Sequence, residues 1–215
     1  MNVQSDTFIL SKRGWLISGV IASVFLFFMM TGLHLFEFIS GALLLAVLVI
    51  FRNPERSTSE NEADQIISSV DGVVLSVEDA LIDEQKMKKI TVMNSLWDVS
   101  ILRSPFDGIV EGFKMRNGAS LPLYNPMADL LNEKAVISFR SSKGEEVFIE
   151  HLSEQSCFPI GIELDKGQKL KEGSRYGFLA KGRSIFYLPE NTRVSVNAGA
   201  TVRAGESVLG YLNAA

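Results

Sequence analysis

Two histidines and one cysteine are the whole supply of imidazole and thiol in this chain of 215 residues. His34 stands in an apolar run and His151 lies far along the chain, which argues against a zinc site and against a Ser-His-Asp hydrolase. Cys157 alone excludes an intramolecular disulfide, fits a reducing compartment, and is expected as a small core residue. Serine next to glycine is the remaining signal. "EGSRYG" holds Gly173-Ser174, and "GFLAKGRSIFYLP" (177–189) holds Ser184 two residues after Gly182. A hydroxyl becomes a nucleophile only when a base activates it and the attacked atom is held in reach. The elements around these residues therefore decide what they can do.

Charge and composition narrow the choices. The formal net charge is −4 and the pI near 5.3, so no basic stripe exists to release counterions from nucleic acid. Mean hydropathy of +0.18 is high for a soluble domain, and the excess lies near the N-terminus. Residues 14–51 contain Glu37 and His34 but no Lys or Arg. A spanning helix takes about 20 apolar residues, so this run is too long for one span and barely enough for two. The polar break "TGLHLFEF" predicts the turn of a helical hairpin. A cleavable signal peptide would have a much shorter apolar region. Lys12 and Arg13 precede the run and Arg52 and Arg56 follow it, which predicts both ends on the cytoplasmic side. A shallow hairpin dipping into one leaflet stays open as an alternative.

Residues 1–56 thus form one region, "STSENEADQ" (57–65) a polar linker, and 66–215 a second domain. In that domain short runs rich in Val, Ile and Phe recur between turn residues: "GVVLSV", "KITVM", "DVSIL", "GIVEGF", "AVISF", "EVFIE", "GIELD" and "SIFYL". They predict a mainly β fold. A short helix is expected at 127–134, and Trp97, just ahead of a β run, is expected in the core. "VSVNAGATVRAGESVLGYL" (194–212) resembles the half-motif of lipoyl and biotinyl carrier domains, with Gly199, Gly205 and Gly210 at tight turns. No lysine is displayed there, so it predicts a structural half-barrel.

Taken in order, "FRNPER" (51–56), "SSVDGVV" (68–74), "DVSILRSPFDGIVEG" (98–112), "NEK" (132–134) and "RYGFLAKGRSIFYLP" (175–189) resemble the short-form phosphatidylserine decarboxylase family. The resemblance implies a lipoyl-like, barrel-sandwich-hybrid β fold behind an apolar hairpin. It also implies a proenzyme that cuts itself at a Gly-Ser bond. The serine becomes a pyruvoyl group that forms a Schiff base with phosphatidylserine and takes up the electrons when CO2 leaves. An Asp and a His assist the serine.

Transferred by position, the Asp falls on Asp71, which on its own is also an ordinary turn residue before glycine. The family's "DVHVNR" reads "DVSILR", so Ser100 stands where the His would be, and a hydroxyl cannot take up a proton at neutral pH as imidazole does. Without gaps, "FGSR" falls on "AKGR" (180–183): Lys181 takes the glycine position and Gly182 that of the serine. Gly173-Ser174 lies too early. Ser184 sits two residues late, displaced by roughly 6.6 Å along a strand, although displacements of about 1 Å are already costly. Arg103 matches a family Arg and could meet a lipid phosphate or carboxylate.

The expectation is a degenerate member of the family, in the cell membrane with its β domain on the cytoplasmic side, without pyruvoyl, metal or other cofactor. Its expected partners are a membrane phospholipid, phosphatidylserine first, and a second copy or an active paralogue. One alternative is an active decarboxylase cleaving at Ser184, the one case with a pyruvoyl group. Another is a membrane-anchored adaptor with a lipoyl-like domain, although the sequence lacks the sustained heptads such adaptors carry.

Overall fold

The computed structural model describes residues 10–56, 64–82, 85–122 and 124–212, so most of the expected 57–65 linker lies outside the described residues. The chain divides into two compact units, Met1–Glu55 and Arg56–Ala215.

The first unit is a helix pair, α1 (Lys12–Thr31) and α2 (His34–Ile50). The turn is tighter than the polar break suggests. Gly32, at φ 71°, closes α1 in the left-handed conformation that glycine adopts without a Cβ penalty. "HLFEF" already belongs to α2, where His34 Nδ1 lies 3.2 Å from Glu37 Oε2 one turn on. At the open end the pair is tied together, with Ser11 N donating to the Phe51 carbonyl at 2.9 Å. Leu16, Phe27, Met30, Leu35 and Phe38 are exposed, so the apolar surface is not consumed by packing within the unit. By length and composition α1 can cross a membrane; α2, at 17 residues, is shorter.

The second unit is built from β-strands, as the short alternating runs predict. In chain order they are β1 (Gln65–Ile67), β2 (Gly72–Ile82), β3 (Gln85–Asn94), β4 (Ile101–Arg103), β5 (Gly108–Arg116), β6 (Lys134–Ser141) and β7 (Glu146–Ser153). After these come β8 (Gly161–Ile162), β9 (Lys169–Leu170), β10 (Arg175–Phe178), β11 (Gly182–Pro189), β12 (Arg193–Val194), β13 (Thr201–Val202) and β14 (Val208–Tyr211). A short helix, α3 (Ala128–Leu131), lies within the expected 127–134. Eight strands form one antiparallel sheet in the order β13-β2-β3-β11-β7-β6-β5-β9. Two three-stranded sheets, β1-β14-β12 and β4-β10-β8, complete the unit.

Strand β11 lies between β3 and β7, with eight residues in unbroken register on one side and six on the other. Its period-two pattern sends Ser184, Phe186 and Leu188 inward, where all three are fully buried. Val147, Ile149 and His151 do the same from β7. With Ile90, Val92, Ile137 and Phe139 they make one core.

The 194–212 stretch supplies the short strands and glycine turns that its rhythm suggests, with one difference. Gly199 and Gly205 turn the chain at positive φ, but Gly210 lies within β14, where β12 comes so close that a Cβ would meet the Arg193 carbonyl oxygen at 2.6 Å. Trp97 is not a core residue. It is 65% exposed on a turn closed by Ser95 N donating to Asp98 Oδ2 at 2.7 Å, and the strand begins only at Ile101. Cys157 is also exposed, on the loop after β7.

Because Phe186 fills the centre of the large sheet, Phe186→Ala leaves a cavity that paired neighbours cannot close. The expected loss is about 3–5 kcal/mol, read as a lower urea midpoint. A loss under about 1 kcal/mol would mean that β11 is not the core strand.

Candidate functional site

Asp71 stands at the entry to β2 and is 6% exposed. Every hydrogen bond to its carboxylate comes from a different part of the chain. Oδ1 accepts from Ala204 N at 2.7 Å and from Arg56 Nη1; Oδ2 accepts from Arg56 Nη2 at 2.9 Å and from Val99 N at 3.3 Å. Arg56 also donates to the Ala204 carbonyl at 3.2 Å and faces Glu206 at 3.6 Å. Burial opposes the charge on Arg56, but the contacts with Asp71 and Glu206 outweigh it, and its pKa is raised. The result is a forked, charge-assisted pair that fills the carboxylate.

Ser100 follows Val99 and is 1% exposed; its carbonyl accepts Leu179 N at 2.8 Å. The structure therefore brings Asp71, Ser100 and the stretch leading to Gly182 into one neighbourhood. Asn94, 1% exposed at the end of β3, donates to the carbonyls of Leu179 and Ala180 at 3.1 and 3.3 Å.

Lys181 points outward, and its Nζ donates to Gln155 Oε1 at 2.7 Å. Gly182 opens β11 between Asn94 and Ser153. A Cβ built on Gly182 would overlap the Leu152 carbonyl oxygen, so the backbone packing there is that of a glycine. Arg183 is held by two carboxylates, Glu154 and Asp129, each at 2.5 Å. Burial raises the pKa of Glu154, and Arg183 works against that rise.

Ser184 belongs to a different network. Its Oγ lies 2.7 Å from His151 Nδ1, and His151 Nε2 lies 2.7 Å from the Tyr176 hydroxyl. All three residues are at most 1% exposed. Burial pushes the His151 pKa down to about 3, so the ring is neutral, with one nitrogen donating and the other accepting. No carboxylate orients it through these bonds; its two partners are hydroxyls. Sequence reasoning missed this contact because the two residues are 33 positions apart. The available signal was phase: His151 alternates inward with Val147 and Ile149, as Ser184 does with Phe186.

Arg103 lies inside the domain, 2% exposed, with Nη1 donating to the Gly173 carbonyl at 3.0 Å. Gly173-Ser174 forms the turn that receives it, with Gly173 at φ 72° and the Ser174 carbonyl accepting Ser104 N at 2.8 Å.

The depressed His151 pKa sets a pH dependence. The unfolded imidazole titrates near 6.5 and the folded one near 3, so its contribution is complete above 6.5 and is lost as pH falls toward 3. His151→Gln removes the titrating group while keeping a polar side chain. Between pH 7 and pH 5 the stability difference between wild type and variant should shrink by about 2 kcal/mol. Urea unfolding at the two pH values measures it, and a difference that stays constant would mean that His151 titrates normally.

Comparison with known proteins identifies the family. The sequence model of the family described as phosphatidylserine decarboxylase matches residues 43–210. A phosphatidylserine decarboxylase proenzyme of Geobacter metallireducens is 34% identical over 80% of both chains. Those of Geobacter sulfurreducens and Cytophaga hutchinsonii are 32% and 27% identical, over 78% and 80% of this chain and 78% and 79% of their own. The match runs through the Asp71 turn, the Ser100 loop and β11 alike, and on that breadth the chain belongs to the phosphatidylserine decarboxylase family.

Proposed function

We propose that this chain is a membrane-associated member of the family that keeps the decarboxylase fold but forms no pyruvoyl group, and that it binds phospholipid or a protein partner in place of catalysis. Gly182 carries the reading. It occupies the position that the resemblance gives to the serine, and the Leu152 carbonyl fills the space where a side chain would start. The residues present therefore do not fit a pyruvoyl precursor. Ser100, in the histidine's place, brings no imidazole.

One observation favours the active alternative: Ser184 lies within hydrogen-bond reach of His151. Two others weigh against it. Ser184 is fully buried in a strand paired on both sides, which resists the distortion needed to bring Oγ onto the Arg183 carbonyl. A histidine with a pKa of about 3 is also a very weak base for a serine hydroxyl.

The apolar helix pair, with basic residues at both ends and none at its turn, supports a membrane hairpin with both ends on the cytoplasmic side. A cysteine placed at Ser57 in a Cys157→Ser background should react with a membrane-impermeant thiol reagent only after the cytoplasmic side is opened. Labelling from outside intact cells would reverse the topology.

Intact mass of the purified chain tests the central claim. A single species near 23.7 kDa is expected, unchanged by Ser184→Ala, with no CO2 released from phosphatidylserine. Gly182→Ser should also stay uncut and lose about 1–3 kcal/mol through overpacking against Leu152. A C-terminal fragment beginning at residue 184 and abolished by Ser184→Ala would establish the enzyme instead.

A further inference from the structure

The turn between β3 and β4 holds an indole out of the core. Trp97 is exposed and Leu96 beside it is half-buried, whereas Val99 and Ser100, two and three residues on, are buried. The backbone that presents the indole is stiff. Ser95 N donates to Asp98 Oδ2 at 2.7 Å, Asp98 N to the Ser95 carbonyl at 3.1 Å, and Val99 N to Asp71 Oδ2 at 3.3 Å. A side chain carried on fixed backbone loses little further freedom when it docks, so such a turn can act as an anchor.

Other exposed groups gather in the same neighbourhood. Val73 and Leu75 alternate outward on β2, and Val73 lies opposite Met93, close to the end of β3 that runs into the turn. Arg203, also exposed, directly precedes Ala204, whose N–H meets the other oxygen of the Asp71 carboxylate at 2.7 Å. The chain from the helix pair enters here too. Arg56 binds the same carboxylate and follows Ile50, the last residue of α2, by six positions, a stretch that extends about 20 Å at most.

We infer that the Trp97 turn is a second membrane contact, with the indole, Val73 and Leu75 in the bilayer interface and Arg203 toward the lipid phosphates. The inference rests on the reading of the helix pair as a membrane hairpin and adds to it: the hairpin tethers the β domain, and the turn orients it. Three arguments favour a bilayer over a protein. Tryptophan concentrates at membrane–water interfaces, where its ring meets apolar groups while its N–H stays wet. A cation beside it suits the anionic surface of the cytoplasmic leaflet. The patch is also small. A stable protein interface buries roughly 1,000 Å² or more, whereas a tethered domain meets the bilayer at high effective concentration and needs only a few side chains. No pocket and no particular headgroup is required, so the contact is with the interface as a surface.

Two tryptophans make the test direct, since Trp15→Phe leaves Trp97 as the only one in the full chain and Trp97→Phe leaves Trp15. Each variant is reconstituted into phosphatidylcholine–phosphatidylglycerol vesicles, with plain or brominated acyl chains, and its fluorescence is read with and without iodide equilibrated across the membrane. Trp97 should lose about half of its emission to the brominated chains, as an interfacial indole does. Quenching by iodide and none by the brominated lipid would place Trp97 in water and overturn the inference. Shielding from iodide without quenching by the brominated lipid would mean that protein covers the turn, and overturns it equally. Trp15, in the first turn of α1, checks the reading beneath. Brominated lipid should quench it as well. A Trp15 that stays bright would remove the hairpin from the membrane and the tether with it, a failure distinct from that of Trp97 alone.

Discussion

A single buried carboxylate ties three separate segments of the β domain to the entry of β2. Asp71 accepts from the side chain of Arg56, from the backbone of Val99 and from the backbone of Ala204, which join it from distant parts of the chain. A charge this deeply buried is tolerated only when paired and fully hydrogen-bonded, and Arg56 meets both conditions at once. The dependence runs both ways. Removing either partner strands the other charge in a region of low polarity, so the first residue of the second unit and the turn into β2 are fixed together. Ser100 and the approach to Gly182 inherit their positions from this junction through Val99 and through the bond from Leu179 N to the Ser100 carbonyl.

The same logic governs the polar chain in the core. His151, Tyr176 and Ser184 lie among Ile149, Phe139 and Phe186, where an unpartnered polar group would cost about 1–3 kcal/mol. Each finds its partner within the chain, and burial keeps the imidazole neutral. Burial keeps the ring neutral and stable, and the same burial disfavours the protonated form, which makes it a poor base. A catalytic histidine needs a pKa near its working pH, commonly supported by a carboxylate on its far nitrogen. Here the far nitrogen meets the hydroxyl of Tyr176, whose own pKa burial drives upward.

The β character of the domain was legible in the sequence because the alternation in runs such as "AVISF" and "EVFIE" is a local signal that tertiary packing then obeyed. The hairpin was legible for a similar reason: length and apolarity suffice, and Gly32 marks its turn. What escaped was whatever depends on register between distant strands. The facing of Ser184 and His151 requires knowing that β7 and β11 are neighbours, and neither run carries that information alone. Trp97 and Cys157 escaped differently. Their residue types favour burial, but each sits on a turn or loop whose backbone bonds decide exposure. The matched positions Asp71, Ser100 and Gly182 were found through the family resemblance, and the structure places them together, although the resemblance said nothing of Arg56 occupying Asp71.

The contacts on which the proposed reading rests adjoin one another in the β domain. With no side chain at Gly182, the backbone of β7 can close onto β11, and the Leu152 carbonyl takes the volume that a serine Cβ would need. A side chain placed at residue 182 would meet that carbonyl oxygen first. Ser100 supplies no imidazole in its neighbourhood, and Asp71 anchors Arg56 and the backbone of Val99 and Ala204. Under the proposed reading, the Leu152–Gly182 closure and the Arg56–Asp71 pair are contacts that an uncut chain keeps.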